Sequence, residues 1–219
     1  MILHACWLLD PWRETRNKYV AAWARKGFEV NLWHQGQLGC VVPGAVLRDA
    51  RDLIAASPIA DAFAYEEHSR VHAACADLFR YEVLLQHGGT YADLDVLPLA
   101  PPGEVQEPRF ERDMRGQLEI RYLAAPQGHE LLRALRDEAV REEAAFVARG
   151  GYKTLRDLGA VLARTGPHMA MRVAQAWAAS HSVPYGSMLL RKAVDANTRE
   201  NRREHYSRRW PEVSSKIPR

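Results

Sequence analysis

The sequence is poor in cysteine, has no long apolar run and contains no internal repeat. Its three cysteines, Cys6, Cys40 and Cys75, are widely spaced in 219 residues and lie among apolar neighbours. That excludes a zinc-ligand pattern and a disulfide framework, and reduced, buried thiols are expected. No stretch reaches the roughly 18 to 20 consecutive apolar residues that span a bilayer. The opening MILHACWLLD lacks the basic start and small-residue cleavage site of a signal peptide, so a cytoplasmic enzyme without a transmembrane segment is expected. Low-complexity blocks are absent as well.

What is present suits a folded enzyme. The chain is 47% hydrophobic, enough for a sizeable core. We expect one domain over residues 1–190 and a C-terminal segment or tail over 191–219. The net charge of +3 is unevenly placed. Residues 191–219 hold nine Lys or Arg against four Asp or Glu, and the remainder holds 21 against 23. The basicity sits in the tail, which points to a phosphate-bearing ligand or an acidic surface.

Ile2 to Leu9 is a short apolar run that reads as a buried strand, followed by a helix with Pro11 in its first turn and Gly27 at its end. Phe28 to His34 resumes as a strand, giving a β-α-β opening and, with it, a parallel sheet of the α/β class. Glu67 to His87 reads as one long helix, in which Val71, Ala74, Leu78, Tyr81 and Leu85 recur at three- and four-residue intervals. Gly88-Gly89 ends it. Thr90 to Leu97 is the next strand, 104–116 a charged loop, Leu118 to Ala124 a strand, and Glu130 to Ala148 an amphipathic helix. His168 to Ala179 is helical behind Thr165-Gly166-Pro167, and Ser187 to Leu190 is the last strand.

The chemistry lies in Tyr91-Ala92-Asp93-Leu94-Asp95-Val96. On a continuous strand, Tyr91, Asp93 and Asp95 share one face, while Ala92, Leu94 and Val96 point into the apolar layer. Two carboxylates so placed repel unless a cation or donors lie between them, and hard oxygen ligands suit Mg²⁺ or Mn²⁺ completed by water and substrate phosphates. Asp77 and Arg80, three apart, are neighbours on the preceding helix and, taken alone, read as a helix salt bridge sooner than as a site.

The run from Ala76 to Val96, ADLFRYEVLLQHGGTYADLDV, resembles the D-x-D sugar-binding region of the glycosyltransferases related to yeast initiating α-1,6-mannosyltransferase and the glucosylating domains of large clostridial toxins. Ile2 to Trp7 resembles that family's opening strand, Thr165-Gly166-Pro167 an internal turn, and His205 with Trp210 its closing segment. The resemblance implies an α/β fold of GT-A type and a retaining, metal-dependent glycosyltransferase that uses Mn²⁺ (or Mg²⁺). It would transfer a hexosyl or N-acetylhexosaminyl group from a UDP- or GDP-sugar. It further implies that Asp93 and Asp95 engage metal and donor, and that Asp77 and Arg80 face the donor sugar and phosphate. Tyr91 would then meet nucleotide or sugar, Trp7 the base, Trp210 the diphosphate, and His205 would be a third metal ligand. Residues 199–211 would close over the donor, with Trp210 as an aromatic anchor.

Two other readings of the residues stand beside this one. Paired aspartates also serve metal-dependent phosphodiesterases or nucleotidyltransferases, given further carboxylates, and the Arg-rich tail could bind nucleic acid or an acidic surface without catalysis. The acceptor, whether saccharide, natural product, protein or modified nucleic acid, is not written in the sequence.

Overall fold

The computed structural model describes residues 1–8, 11–36, 40–101, 103–113, 116–153, 160–190 and 194–196, the last for the backbone alone. His205, Trp210 and the expected closing segment 199–211 lie outside the described residues.

The chain alternates β1 (Ile2–Trp7), α1 (Asn17–Arg25), β2 (Glu29–His34) and β3 (Ala45–Asp49), then runs through α2 (Arg51–Ala55), α3 (Ala60–His68) and α4 (His72–His87). There follow β4 (Gly89–Ala92), β5 (Val96–Pro98), β6 (Arg109–Arg112) and β7 (Leu118–Ala125). The rest is α5 (Glu130–Ala148), α6 (Val161–Arg164), α7 (Pro167–Ser180), β8 (Leu189–Leu190) and β9 (Val194–Ala196). Seven strands form one sheet in the order β3-β2-β1-β4-β7-β6-β8, while β5 and β9 form a separate pair.

The expected parallel sheet is present in β3-β2-β1-β4. β7 runs antiparallel to both β4 and β6, so the sheet is mixed. The chain leaves β1 to one side for β2 and β3 and returns to its other side as β4. Such a reversal opens a crevice at the carboxyl ends of the two central strands, where open α/β sheets bind ligands. Trp7 ends β1 and Asp93 follows β4 at that edge.

Alternation along the strands builds two cores. Leu3, Ala5, Val30 and Leu32 meet Val20, Trp23 and Phe28 on the α1 side, joined there by Ala92, Leu94 and Val96. On the opposite side Trp33, Tyr91, Phe110 and Leu123 pack against Leu78, Phe79, Leu84, Leu131 and Met169 from the helices. Among the described residues no helix is long and apolar enough to cross a membrane, and the three cysteines are unpaired, with Cys75 buried and the other two half-buried.

Several boundaries differ from those read in the sequence. The helix expected from Glu67 begins at His72, because Arg70 takes a left-handed conformation (φ 58°) that ends α3. The helix expected around Pro11 starts at Asn17, after a 3₁₀ turn over Glu14–Arg16. Ahead of that turn the Trp7 indole donates to the Pro11 carbonyl (3.0 Å) and ties that segment to the end of β1. Within the expected 104–116 loop lies β6, anchored by fully buried Phe110. Of the expected last strand, Ser187 to Leu190, the first two residues end a 3₁₀ turn over Tyr185–Met188 and the other two are β8, and β9 follows it. β3, α2 and all but the last two residues of α3 fill a stretch for which the sequence suggests no element.

Candidate active site

The strand expected over Thr90 to Leu97 stops at Ala92. The Asp93 amide donates to the Arg121 carbonyl (2.9 Å), and the Val96 amide turns back to the Asp93 carbonyl (3.3 Å). Leu94 and Asp95 therefore form a turn, after which β5 leaves the main sheet and pairs with β9, Val96 opposite Ala196. The common strand face inferred for Tyr91, Asp93 and Asp95 is thus replaced by a turn, because the chain trades one sheet for another between the two aspartates. The apolar alternation of Ala92, Leu94 and Val96 survives, since all three sink into the α1-side core.

What delivers the turn to its place is the double glycine and the histidine beneath it. Gly88 and Gly89 have positive φ (65° and 90°), and a Cβ there would stand 2.6 Å from the Gln127 nitrogen and 2.8 Å from the Ile2 carbonyl oxygen, so only glycine lets the link from α4 to β4 pass this close to β1 and to the chain after β7. Trp33 donates its indole N–H to His4 Nδ1 (3.0 Å), which leaves the proton on Nε2 to be donated to the Gly88 carbonyl (3.1 Å). Burial is the main reason the His4 pKa falls to about 4, so this imidazole is a neutral strut.

Arg80 is the hub. Its guanidinium, 4% exposed, reaches Asp77 Oδ1 at 2.8 Å and Asp93 Oδ1 at 3.3 Å through Nη2. Its Nη1 donates to the Ile120 carbonyl (2.6 Å) and Nε to the Ala76 carbonyl (3.2 Å), and the plane lies 4.7 Å from the centre of the Tyr91 ring. Lys could not satisfy this fork of partners. Asp77 is also held by the Thr165 hydroxyl (3.2 Å), and the Tyr81 hydroxyl donates to the Thr165 carbonyl (2.8 Å), so the Thr165-Gly166-Pro167 turn locks the back of the site.

Electrostatics distinguish the carboxylates. Burial, partly offset by Arg80, raises the Asp77 pKa to about 6. Asp95 also rises to about 6, through burial and then the charge of Asp93, with Arg16, Arg121 and Arg80 opposing. Asp93 presents a side chain 34% exposed, with Oδ1 turned to Arg80. A pair of carboxylates two residues apart, one open to solvent and the other strained by its neighbour's charge, is a donor set that a hard divalent cation would relieve. Among the described residues no group of three or more His, Cys, Asp or Glu stands together as a metal cage. The described residues thus offer two carboxylates, and a hard cation such as Mg²⁺ held there would draw its remaining ligands from elsewhere, water and substrate phosphates among them.

Tyr91 is 1% exposed, and its hydroxyl lies 3.2 Å from Cys6 Sγ. The expectation that it meets nucleotide or sugar is corrected: it belongs to the core and supports Arg80 from below. Trp7 stands at the crevice, half-buried, with its ring edge-to-face on Trp12 (5.5 Å) and the Arg16 guanidinium 5.7 Å from its centre. The structure thus brings Asp77, Arg80 and Asp93 into direct contact, sets Asp95 beside them in the turn, and places Trp7 on the adjoining strand end.

Three neighbours escaped the sequence reading. Arg16, 6% exposed, donates through Nη1 to the Leu94 carbonyl (3.1 Å) inside the turn. Glu119 and Arg121, alternate residues of β7, lie 3.5 Å apart, and the Glu119 pKa is raised first by burial, with Asp93 among the charges acting on it. Arg13, Arg16 and Lys18 look alike in sequence, and no spacing singles out the one that folds inward.

Residues 13–111 match the family described as the glycosyltransferase sugar-binding region containing the DXD motif. No curated protein matches the chain significantly in sequence. Among solved structures, the chain is similar to the UDP-bound glycosyltransferase domain from the YGT toxin (10% identity, TM-score 0.69, covering 88% of this chain and 79% of that one). It is also similar to the PaToxG glycosyltransferase (15% identity, TM-score 0.63, covering 80% and 69%). A third is the catalytic domain of alpha-toxin from Clostridium novyi (10% identity, TM-score 0.60, covering 86% and 74%). At these identities the structural likeness speaks for the fold, and the matched region speaks for the family. The DXD turn at the switch point of this GT-A sheet lies inside the matched residues 13–111, and that region is similar to the DXD-containing glycosyltransferases.

Proposed function

We propose that this glycosyltransferase takes a hexosyl or N-acetylhexosaminyl group from a UDP- or GDP-sugar and transfers it with retention of configuration, with Mn²⁺ or Mg²⁺ held at Asp93 and Asp95. The observation that carries the reading is the bridge from buried Arg80 to Asp77 and to half-open Asp93 at the carboxyl end of β4. It fixes one carboxylate oxygen inward and leaves the rest of the group facing the crevice.

A cation bound there would neutralise the charge that grows on the leaving diphosphate. The chain's own residues orient. Arg80 holds Asp93, Thr165 and Arg80 hold Asp77, and Trp7 offers an aromatic surface for the base at the end of β1. Retention without an enzymic nucleophile calls for departure and attack on the same face of the sugar, the leaving phosphate assisting deprotonation of the acceptor. His205 as a further ligand, and Trp210 as the anchor of a closing segment 199–211, extend the proposal to residues beyond those described. The backbone pairing of β9 with β5 supports it by bringing the start of that tail beside the turn.

Hydrolysis of a panel of UDP- and GDP-sugars, with Mn²⁺ and with chelator, tests the reading. Metal-dependent hydrolysis of at least one donor is expected. If no donor is hydrolysed and neither UDP nor GDP binds in the presence of Mn²⁺, the assignment fails.

A further inference from the structure

Arg16 lies ahead of α1, far in sequence from the DXD segment, yet its side chain ends inside the DXD turn. It closes the 3₁₀ turn Glu14–Arg16, with its own amide bonded to the Arg13 carbonyl (2.8 Å). From there the guanidinium passes between two aromatic rings, 5.7 Å from the centre of Trp7 and 5.8 Å from that of Tyr19. It reaches the Leu94 carbonyl at 3.1 Å, at the residue between Asp93 and Asp95. The surroundings restrict it further. Trp12 packs edge-to-face on Trp7 and donates to the Asn17 side chain (3.1 Å), so both flanks of the 3₁₀ turn are tied down.

A guanidinium buried to this degree is costly unless its charge is compensated. The Leu94 carbonyl accepts one of its hydrogen bonds, and the rings of Trp7 and Tyr19 offer the cation their aromatic faces. Because Leu94 itself is 7% exposed and sunk in the α1-side core, the turn cannot rotate about its apolar anchor while Arg16 holds the carbonyl. Movement of one aspartate relative to the other would have to break that bond. The same guanidinium also packs on Trp7, so the ring offered to a base and the turn offered to a diphosphate share one support.

We propose that Arg16 is a positioning residue for the nucleotide-sugar donor: by clamping the Leu94 carbonyl from beneath Trp7 it sets the relative placement of Trp7, Asp93 and Asp95. This rests on the proposed donor site, and the test separates the two. Binding of UDP and of GDP, each with Mn²⁺, is measured by tryptophan fluorescence for the wild type, Arg16→Lys, Arg16→Met and Arg16→Gln, alongside melting temperature and the kcat and KM for donor hydrolysis. Lys retains the charge and comes within about one bond length of the carbonyl. Met keeps bulk without a donor, and Gln is about two bonds too short.

The expected result is nucleotide affinity lowered tenfold or more in Arg16→Met and Arg16→Gln, a matching rise in donor KM exceeding any fall in kcat, and recovery to within about threefold of wild type in Arg16→Lys. Should Arg16→Met not fold, the comparison of Arg16→Gln with Arg16→Lys decides. Folded Met or Gln variants with wild-type affinity, or a Lys variant as impaired as the others, would overturn the clamp and leave Arg16 as scaffold. A wild-type protein that binds neither nucleotide would instead sink the donor-site reading itself.

Discussion

Arg80 and Arg164 are both buried guanidiniums, each 4% exposed, and each bridges two carboxylates. Arg80 joins Asp77 of its own helix to Asp93 in the DXD turn. Arg164, at the end of α6, joins Glu66 of α3 (3.3 Å) to Glu143 of α5 (2.7 Å). The Phe146 ring lies 3.6 Å from its guanidinium carbon, and its Nη2 donates to the Tyr152 hydroxyl (2.6 Å), which in turn donates to Glu66. Asp93 opens on the crevice with 34% of its side chain exposed, whereas Glu66 and Glu143 are fully buried. A buried ion pair is by itself weak evidence of function. An open flank at a topological switch point is what separates the proposed donor site from its sealed counterpart.

The largest expected effect falls on the sealed cluster. Arg164→Met removes the cation between two buried carboxylates and should destabilise the fold by about 3 to 5 kcal/mol, while the folded fraction binds nucleotide as the wild type does. Urea unfolding combined with UDP–Mn²⁺ titration checks both halves. Loss of binding in folded protein would erase the distinction between the regions.

Asp93→Asn and Asp95→Asn should behave in the opposite way. Donor hydrolysis should fall by about a hundredfold or more, with stability changed by no more than about 1 kcal/mol for the half-open Asp93. If either variant unfolds as readily as Arg164→Met, the turn is scaffold as much as site.

Arg80→Lys lies between the two, since the residue is structural in its carbonyl bonds and functional in its grip on Asp93. We expect donor affinity to drop about tenfold and stability to fall by about 1 to 3 kcal/mol, read from the same two assays. A change in stability alone would make Arg80 a helix salt-bridge partner.

A pH slope sharpens the same comparison. Burial, then the hydrogen bond and charge of Glu143, raise the Glu66 pKa to about 9. The folded state therefore keeps a proton that the unfolded chain releases near the ordinary carboxylate value of about 4.5. Its stabilising contribution is fully present below that value and is lost as pH rises toward about 9. Melting temperatures at pH 5, 7 and 9 should decline in the wild type and decline less in Glu66→Gln. Equal slopes would show that no proton is held there.

Much of the scaffold was legible. β1, β2, β7, α5 and α7 lie close to where apolar spacing put them, because each is a short apolar run or buries a continuous apolar face, bounded by Gly, Pro or charge. Asp77, Arg80, the double glycine and Asp93 were legible as well, since the helix and turn that join them are local in sequence. The strand assigned across Asp93 and Asp95 was wrong for a reason that alternation cannot reveal. Ala92, Leu94 and Val96 alternate into the core whether the backbone between them is extended or turned. The contrast between Arg80 and Arg164 was not legible either, since Glu66, Glu143 and Arg164 carry no motif.

By itself, the sequence determined the α/β class, the family region and the residues of the DXD segment, all of which rest on neighbours within about twenty positions. Only the tertiary structure decided that Tyr91 supports from below, that Arg16 enters the turn from 78 residues away, and that one buried arginine grips a half-open aspartate while another is sealed. Those outcomes depend on which surfaces meet when the sheet and helices close. Burial and the compensation of buried charge are settled across the whole fold and leave no local signature in the chain.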